Sequence, residues 1–233
     1  MASSSIEFYP NPDIEAMQLF VLLHGVGGSP DNLEALGLAL RVAFPGAVVL
    51  IPEGFHAYDN GSPGRQWFST RGVGEDNRAE RVAQALPALN DYVRAAQRRL
   101  KIKAGHTALA GFSQGAIMAL EAVQADDALA GRVLAFSGRY ATLPDKAPQY
   151  TTIHLLHGAD DAVITVSHAM AAQHRLGQLQ GDSTIDVASH VGHELHPALI
   201  KRAIERLQTC VPLRSWEAAL GHDQAPPPDA TVH

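Results

Sequence analysis

ALAGFSQGAIMAL, residues 108–120, joins an apolar run that ends near Ala110 to a helical pattern that begins near Gln114, with Ser113 at the junction. Two readings fit. Ser113 is either a nucleophile lifted clear on a tight strand-to-helix turn or the polar cap of the helix. The first requires a particular fold, because such a serine stands at the carboxyl end of a buried parallel strand. The decision lies in the rest of the chain.

Outward from this stretch, residues 17–25 (MQLFVLLHG), 47–52 (AVVLIP), 132–138 (RVLAFSG) and 152–158 (TIHLLHG) are short apolar runs, as in strands buried on both faces. STIDVAS at 183–189 is a further strand. Ser29-Pro30 opens a helix to about Val42, with Leu33, Leu36, Gly37 and Leu40 inward. Residues 76–100 carry Val82, Leu86, Leu89 and Val93 at helical spacing, and Pro87 should kink or split that helix. Helices are also expected over 165–179 and 194–207, and residues 53–75 read as one long loop of functional length. Alternating strands and helices predict an α/β fold, a mostly parallel central sheet with helices on both faces. One domain over residues 1–210 is expected, with a partly disordered tail over 211–233 that contains Pro226-Pro227-Pro228.

Composition narrows the function. Hydrophobic content of 46% and charged content of 18% suit a globular chain, and a net charge of −6 argues against nucleic acid or an anionic membrane as partner. Arg94, Arg98, Arg99, Lys101 and Lys103 read as the solvated end of a helix. The single Cys210 excludes an internal disulfide and a cysteine-based metal cluster. The apolar run at 19–23 is too short to span a bilayer, and residues 1–15 have no leader pattern, so a cytoplasmic protein without stable membrane insertion is expected. Oligomeric state, a homodimer included, stays open.

The chemistry should sit just beyond the strands. In GFSQG at 111–115, glycines two residues either side of Ser113 make room for a tight turn, which also leaves the Gln114 N–H free to bind an oxyanion. HGVGG at 24–28 lacks the third glycine of a dinucleotide loop, since Pro30 stands there, and has no Gly-Lys-Ser/Thr. It suits an oxyanion-hole loop instead, with His24 fixing the loop rather than acting as a base. A serine needs a base and a group to orient that base, in the order Ser, acid, His for this sheet type. Asp160 and Asp161 follow one strand, and His190, His193 and His196 follow the next. Asp161 is better placed than Asp160 for a carboxylate turning back to the sheet. His193 is preferred because Gly192 frees its loop and Glu194 is expected to start a helix behind it. The H-x-x-H-x-x-H spacing invites a zinc reading, but no H-E-x-x-H is present and no metal or other cofactor is expected.

Taken together, LLHGVGG, RQWFS at 65–69, EDNR at 75–78, GFSQGAIM and the HGADDAV…VGHEL pair resemble the phospholipase/carboxylesterase family of α/β-hydrolases, which includes acyl-protein thioesterases. The likeness covers residues 18–207 and is nearest to a bacterial cytoplasmic carboxylesterase branch. It implies Ser113 as nucleophile, Asp161 as acid, His193 as base, and Val26 and Gln114 as backbone oxyanion donors. Trp67 and Phe68 would form an aromatic pair beside the acyl pocket. Ala162 departs from the proline that many members have after the acid. The implied activity is hydrolysis of a small-molecule ester of short to medium acyl chain through an acyl-enzyme. Thioesterase or lysophospholipase activity, or a non-catalytic binding role, is the alternative. Only about 15 residues connect the strands ending and starting near Phe136 and Thr152, which leaves no room for a large lid.

Overall fold

The computed structural model describes residues 5–212 and residue 215. Most of the tail expected over 211–233 lies outside the described residues. The frame is a seven-stranded sheet in the order β1-β3-β2-β6-β7-β8-β9. Its strands are β1 (Ile6–Phe8), β2 (Gln18–Leu23), β3 (Ala47–Ile51), β6 (Thr107–Phe112), β7 (Arg132–Phe136), β8 (Thr152–Gly158) and β9 (Ser183–Ala188). Only β1 runs antiparallel, against β3. It is too short to show in the sequence pattern.

The central strands are buried at nearly every position because helices cover both faces; most of these residues are apolar, with Thr107, Thr152, His154 and His157 buried polar residues among them. Alternate residues go to opposite sides. Leu19, Val21, Leu23, Val48, Leu50, Leu109, Val133 and Leu155 face α2 (Glu75–Leu100), α3 (Gln114–Ala125) and α4 (Val166–Gln178). Phe20, Leu22, Val49, Ile51, Ala110, Leu134 and Leu156 face α1 (Glu34–Ala43) and α5 (Pro197–Thr209). Among the described residues no helix is long and apolar enough to cross a membrane.

Four expectations change. The first helix begins as a 3₁₀ turn, Pro30–Leu33, closed by a capping box in which the Asn32 side chain accepts the Ser29 N–H at 2.8 Å. Its inward residues Leu33, Leu36, Gly37 and Leu40 are buried as expected. Pro87 does not split α2, which runs 26 residues without a break. Pro87 and Ala83 both lie on the exposed side, so the carbonyl that loses its partner faces water. The 53–75 loop holds a small hairpin, β4 (His56–Ala57) with β5 (Arg65–Gln66). Finally, the helix expected from Glu194 starts at Pro197, where a proline suits the first helical position and His196 caps the turn by accepting the Ala198 N–H at 3.2 Å.

Candidate active site

At the carboxyl end of β6, Ser113 has φ 53° and ψ −115°, a conformation unfavourable for any side-chain-bearing residue. The turn is possible because the residues two positions either side of Ser113, Gly111 and Gly115, carry no side chain. A methyl at Gly111 would lie 2.2 Å from the Gly115 carbonyl oxygen, and one at Gly115 would lie 1.9 Å from that of Leu23. The Ser113 hydroxyl makes no cap hydrogen bond to α3. It meets His193 instead, with Oγ 2.9 Å from Nε2. The helix-cap role therefore falls away.

His193 and Asp161 complete a hydrogen-bonded chain. His193 Nδ1–H donates to Asp161 Oδ2 at 2.7 Å, which leaves Nε2 to accept the hydrogen bond of the serine hydroxyl. Phe112 packs against the imidazole at a ring separation of 4.9 Å. The other Asp161 oxygen, Oδ1, accepts the N–H groups of Val163 and Ile164, both at 2.9 Å. Burial by itself would raise the Asp161 pKa. The His193 hydrogen bond and the Ile164 and Val163 amides outweigh it and hold the carboxyl below its usual value. His157, unassigned from sequence, donates Nε2–H to the Ile164 carbonyl at 2.6 Å and lies 3.3 Å from Asp161 Oδ2. Burial lowers its pKa, so it stays a neutral donor.

Asp160 takes a different place. It is exposed and sits 3.9 Å from His190, itself fully solvated. His190, His193 and His196 thus have three separate partners and do not converge on one point.

The loop after β2 passes over the same serine, and a methyl on Gly25 would sit 3.4 Å from Ser113 Cβ. The Val26 amide has no acceptor among the described residues. Gln114 is the first residue of α3, so its amide has no intrahelical acceptor. Both N–H groups sit at the end of the sheet where Ser113 stands. His24 is fully buried, with Nδ1–H donating to the Gly25 carbonyl at 2.7 Å and Nε2 accepting the Gly54 N–H at 2.9 Å. Burial pushes its pKa down, consistent with a neutral ring that holds the loop.

Trp67 departs from its expected place. Its side chain is completely enclosed, packed edge-on against Phe55 at 5.2 Å, and therefore offers no wall to an acyl pocket. Phe68 is also buried, at 5% exposure. Sequence reading missed the Gln114 side chain as well, whose Oε1 accepts the Trp67 N–H and whose Nε2 donates to the Phe68 carbonyl, each at 2.8 Å. Nor did any sequence signal single out Asp59. Hydrogen bonds from Ser69 and Gln66, then the Arg71 and Thr70 amides, hold its pKa down at about 2 and gather the 53–75 loop.

A serine on a strained strand-to-helix turn, hydrogen-bonded to histidine and through it to a carboxylate on a mostly parallel sheet, defines an α/β-hydrolase arrangement. The model of the phospholipase/carboxylesterase family matches residues 5–211, and the chain belongs to this family of hydrolases. It is 44% identical over 211 residues to the esterase YpfH of Escherichia coli K12, covering 90% of each chain. Among solved structures it resembles esterase PE8 with a TM-score of 0.81 and 25% identity, over 91% of this chain and all of that one. A maize acyl-protein thioesterase 2 shares the fold at a TM-score of 0.70 and 16% identity, over 88% of this chain and 98% of the other.

Proposed function

We propose that the protein is a serine carboxylesterase that hydrolyses short- to medium-chain acyl esters, with Ser113 as nucleophile, His193 as general base and Asp161 as its orienting carboxylate. The observation that carries this reading is the unbroken chain from Asp161 Oδ2 through both ring nitrogens of His193 to Ser113 Oγ, at 2.7 and 2.9 Å. His193 Nε2 takes the serine proton as Oγ attacks the ester carbonyl, and Asp161 stabilises the imidazolium. The oxyanion accepts hydrogen bonds from the Val26 and Gln114 N–H groups, each worth about 3–4 kcal/mol in the transition state. His193 then protonates the leaving alcohol, and water repeats the sequence to release the acid and restore Ser113. The esterase relative at 44% identity supports the ester class. The single cysteine accords with a reducing, cytoplasmic setting.

Acyl-chain length follows from the walls of the site. The connection between β7 and β8 contains no inserted domain, and the 53–75 loop is pinned by its own hydrogen bonds. Such a site suits dissolved esters of modest size better than bulk lipid. Labelling by a fluorophosphonate probe should vanish in Ser113→Ala, and undiminished labelling would remove Ser113 from the mechanism. In a p-nitrophenyl ester series, kcat/KM should peak at short or medium chains. Highest values at long chains, or faster turnover of thioesters than of matched oxyesters, would overturn the substrate assignment.

A further inference from the structure

We propose that Trp67 is a positioning residue for the oxyanion hole, tying its two backbone donors together from inside the core. The inference rests on the serine-esterase reading above. Its starting point is a gap in the scaffold. The donors Val26 and Gln114 follow β2 and β6, and the last residues paired between those strands are Leu23 and Gly111. Beyond that pair no sheet hydrogen bond holds one segment to the other, yet both N–H groups must aim at one oxygen. Small displacements are costly for such donors.

Trp67 bridges that gap. Its indole Nε1–H donates to the His24 carbonyl at 2.8 Å, holding the peptide just before the Gly25 turn. Its backbone N–H donates to Gln114 Oε1 at 2.8 Å, while Gln114 Nε2 donates to the next carbonyl, that of Phe68, also at 2.8 Å. The Gln114 amide thus binds residues 67–68 as a neighbouring strand would, and anchors the first turn of α3. An amide side chain suits this because it carries one acceptor and one donor at a fixed spacing.

The His24 ring completes the tie on the other side. It sits against the indole with ring centroids 5.3 Å apart, and its Nδ1–H holds the Gly25 carbonyl. That carbonyl belongs to the same peptide unit as the Val26 N–H. In a trans peptide the two groups point in opposite directions, so fixing one aims the other. Trp67, Gln114 and His24 are at most 3% exposed, so water does not compete for these bonds.

Two variants test the tie without touching either donor N–H. Trp67→Phe removes the indole N–H, and Gln114→Met removes the amide at nearly constant length. Each should lower kcat on p-nitrophenyl butyrate about tenfold to a hundredfold with KM held within about twofold, because the affected contacts form in the transition state. Affinity for a trifluoromethyl ketone, which mimics the oxyanion, should fall by the same factor as kcat/KM. The double variant should lose less than the product of the single losses. Unchanged kcat in folded variants would overturn the inference, as would raised KM with kcat intact, which would return Trp67 to a substrate-wall role. Should Trp67→Phe fail to fold by circular dichroism, Gln114→Met decides alone. Activity persisting in Ser113→Ala would refute the serine-esterase reading itself, whereas an inactive Ser113→Ala beside fully active Trp67→Phe and Gln114→Met would refute only the tie.

Discussion

On the imidazole side of the site, His193 stands on a loop whose Gly192 has nothing within 4 Å of an added methyl, and Asp161 is its carboxylate partner. On the side of the proposed oxyanion hole, Val26 and Gln114 belong to segments bound to each other through His24, Trp67 and Phe68, all buried. In the proposed mechanism the two sides do different work. A base must shuttle a proton between the serine and the leaving group, which small rotations of the ring assist. Donors to an oxyanion are effective because they are already in place before charge develops. One side is therefore oriented by a carboxylate with Phe112 against the ring, and the other is tied by side chains inside the core.

The largest expected effect strikes the imidazole side. Asp161→Asn should reduce kcat by about ten-thousandfold, because an amide in place of the carboxylate favours the wrong imidazole tautomer. Steady-state kinetics would show this, with Asp160→Asn as the control. The exposed neighbour should leave kcat unchanged, and a comparable loss in Asp160→Asn would show that the carboxylates had been assigned the wrong way round.

The contrast in packing predicts a second, structural difference. Gly115→Ala places a methyl 1.9 Å from the Leu23 carbonyl oxygen and should cost at least about 4 kcal/mol of stability, lowering the yield of folded protein. Gly192→Ala meets open space and should change stability by less than about 0.5 kcal/mol in urea unfolding. Equal losses at the two glycines would erase this difference between the two turns.

A smaller effect comes from beneath the imidazole side, on the strand that leads to Asp161. His154 is buried in β8, with no partner for Nε2 among the described residues and Nδ1 2.9 Å from Thr184 Oγ1. Burial pushes its pKa down to about 4. Since the folded value lies below the unfolded one near 6.5, the proton binds the unfolded chain more tightly. Stability should then be complete above pH 6.5 and fall as pH drops toward 4, by at most on the order of 3 kcal/mol from this group. Thermal unfolding of wild type and His154→Asn over that range checks it. An identical pH slope in the two proteins would remove His154 as the cause.

What the sequence determined by itself was whatever short-range physics dictates. Continuous apolar runs set the strands buried on both faces, helical spacing at Val82, Leu86, Leu89 and Val93 set the inward face of α2, and the glycines around Ser113 announced a tight turn. The order of serine, carboxylate and histidine along the chain was equally plain. Only the tertiary structure decided which carboxylate turns inward, that Ser113 gives its hydroxyl to His193 rather than to α3, and that Trp67 lies inside the core. It also showed that Pro87 leaves α2 whole, since the released carbonyl faces solvent. The reason is one of range. The bonds from Trp67 to His24 and Gln114 span 43 and 47 residues, and that from Ser113 to His193 spans 80. Local preferences carry no record of such partners, which meet only after the sheet has packed against its helices.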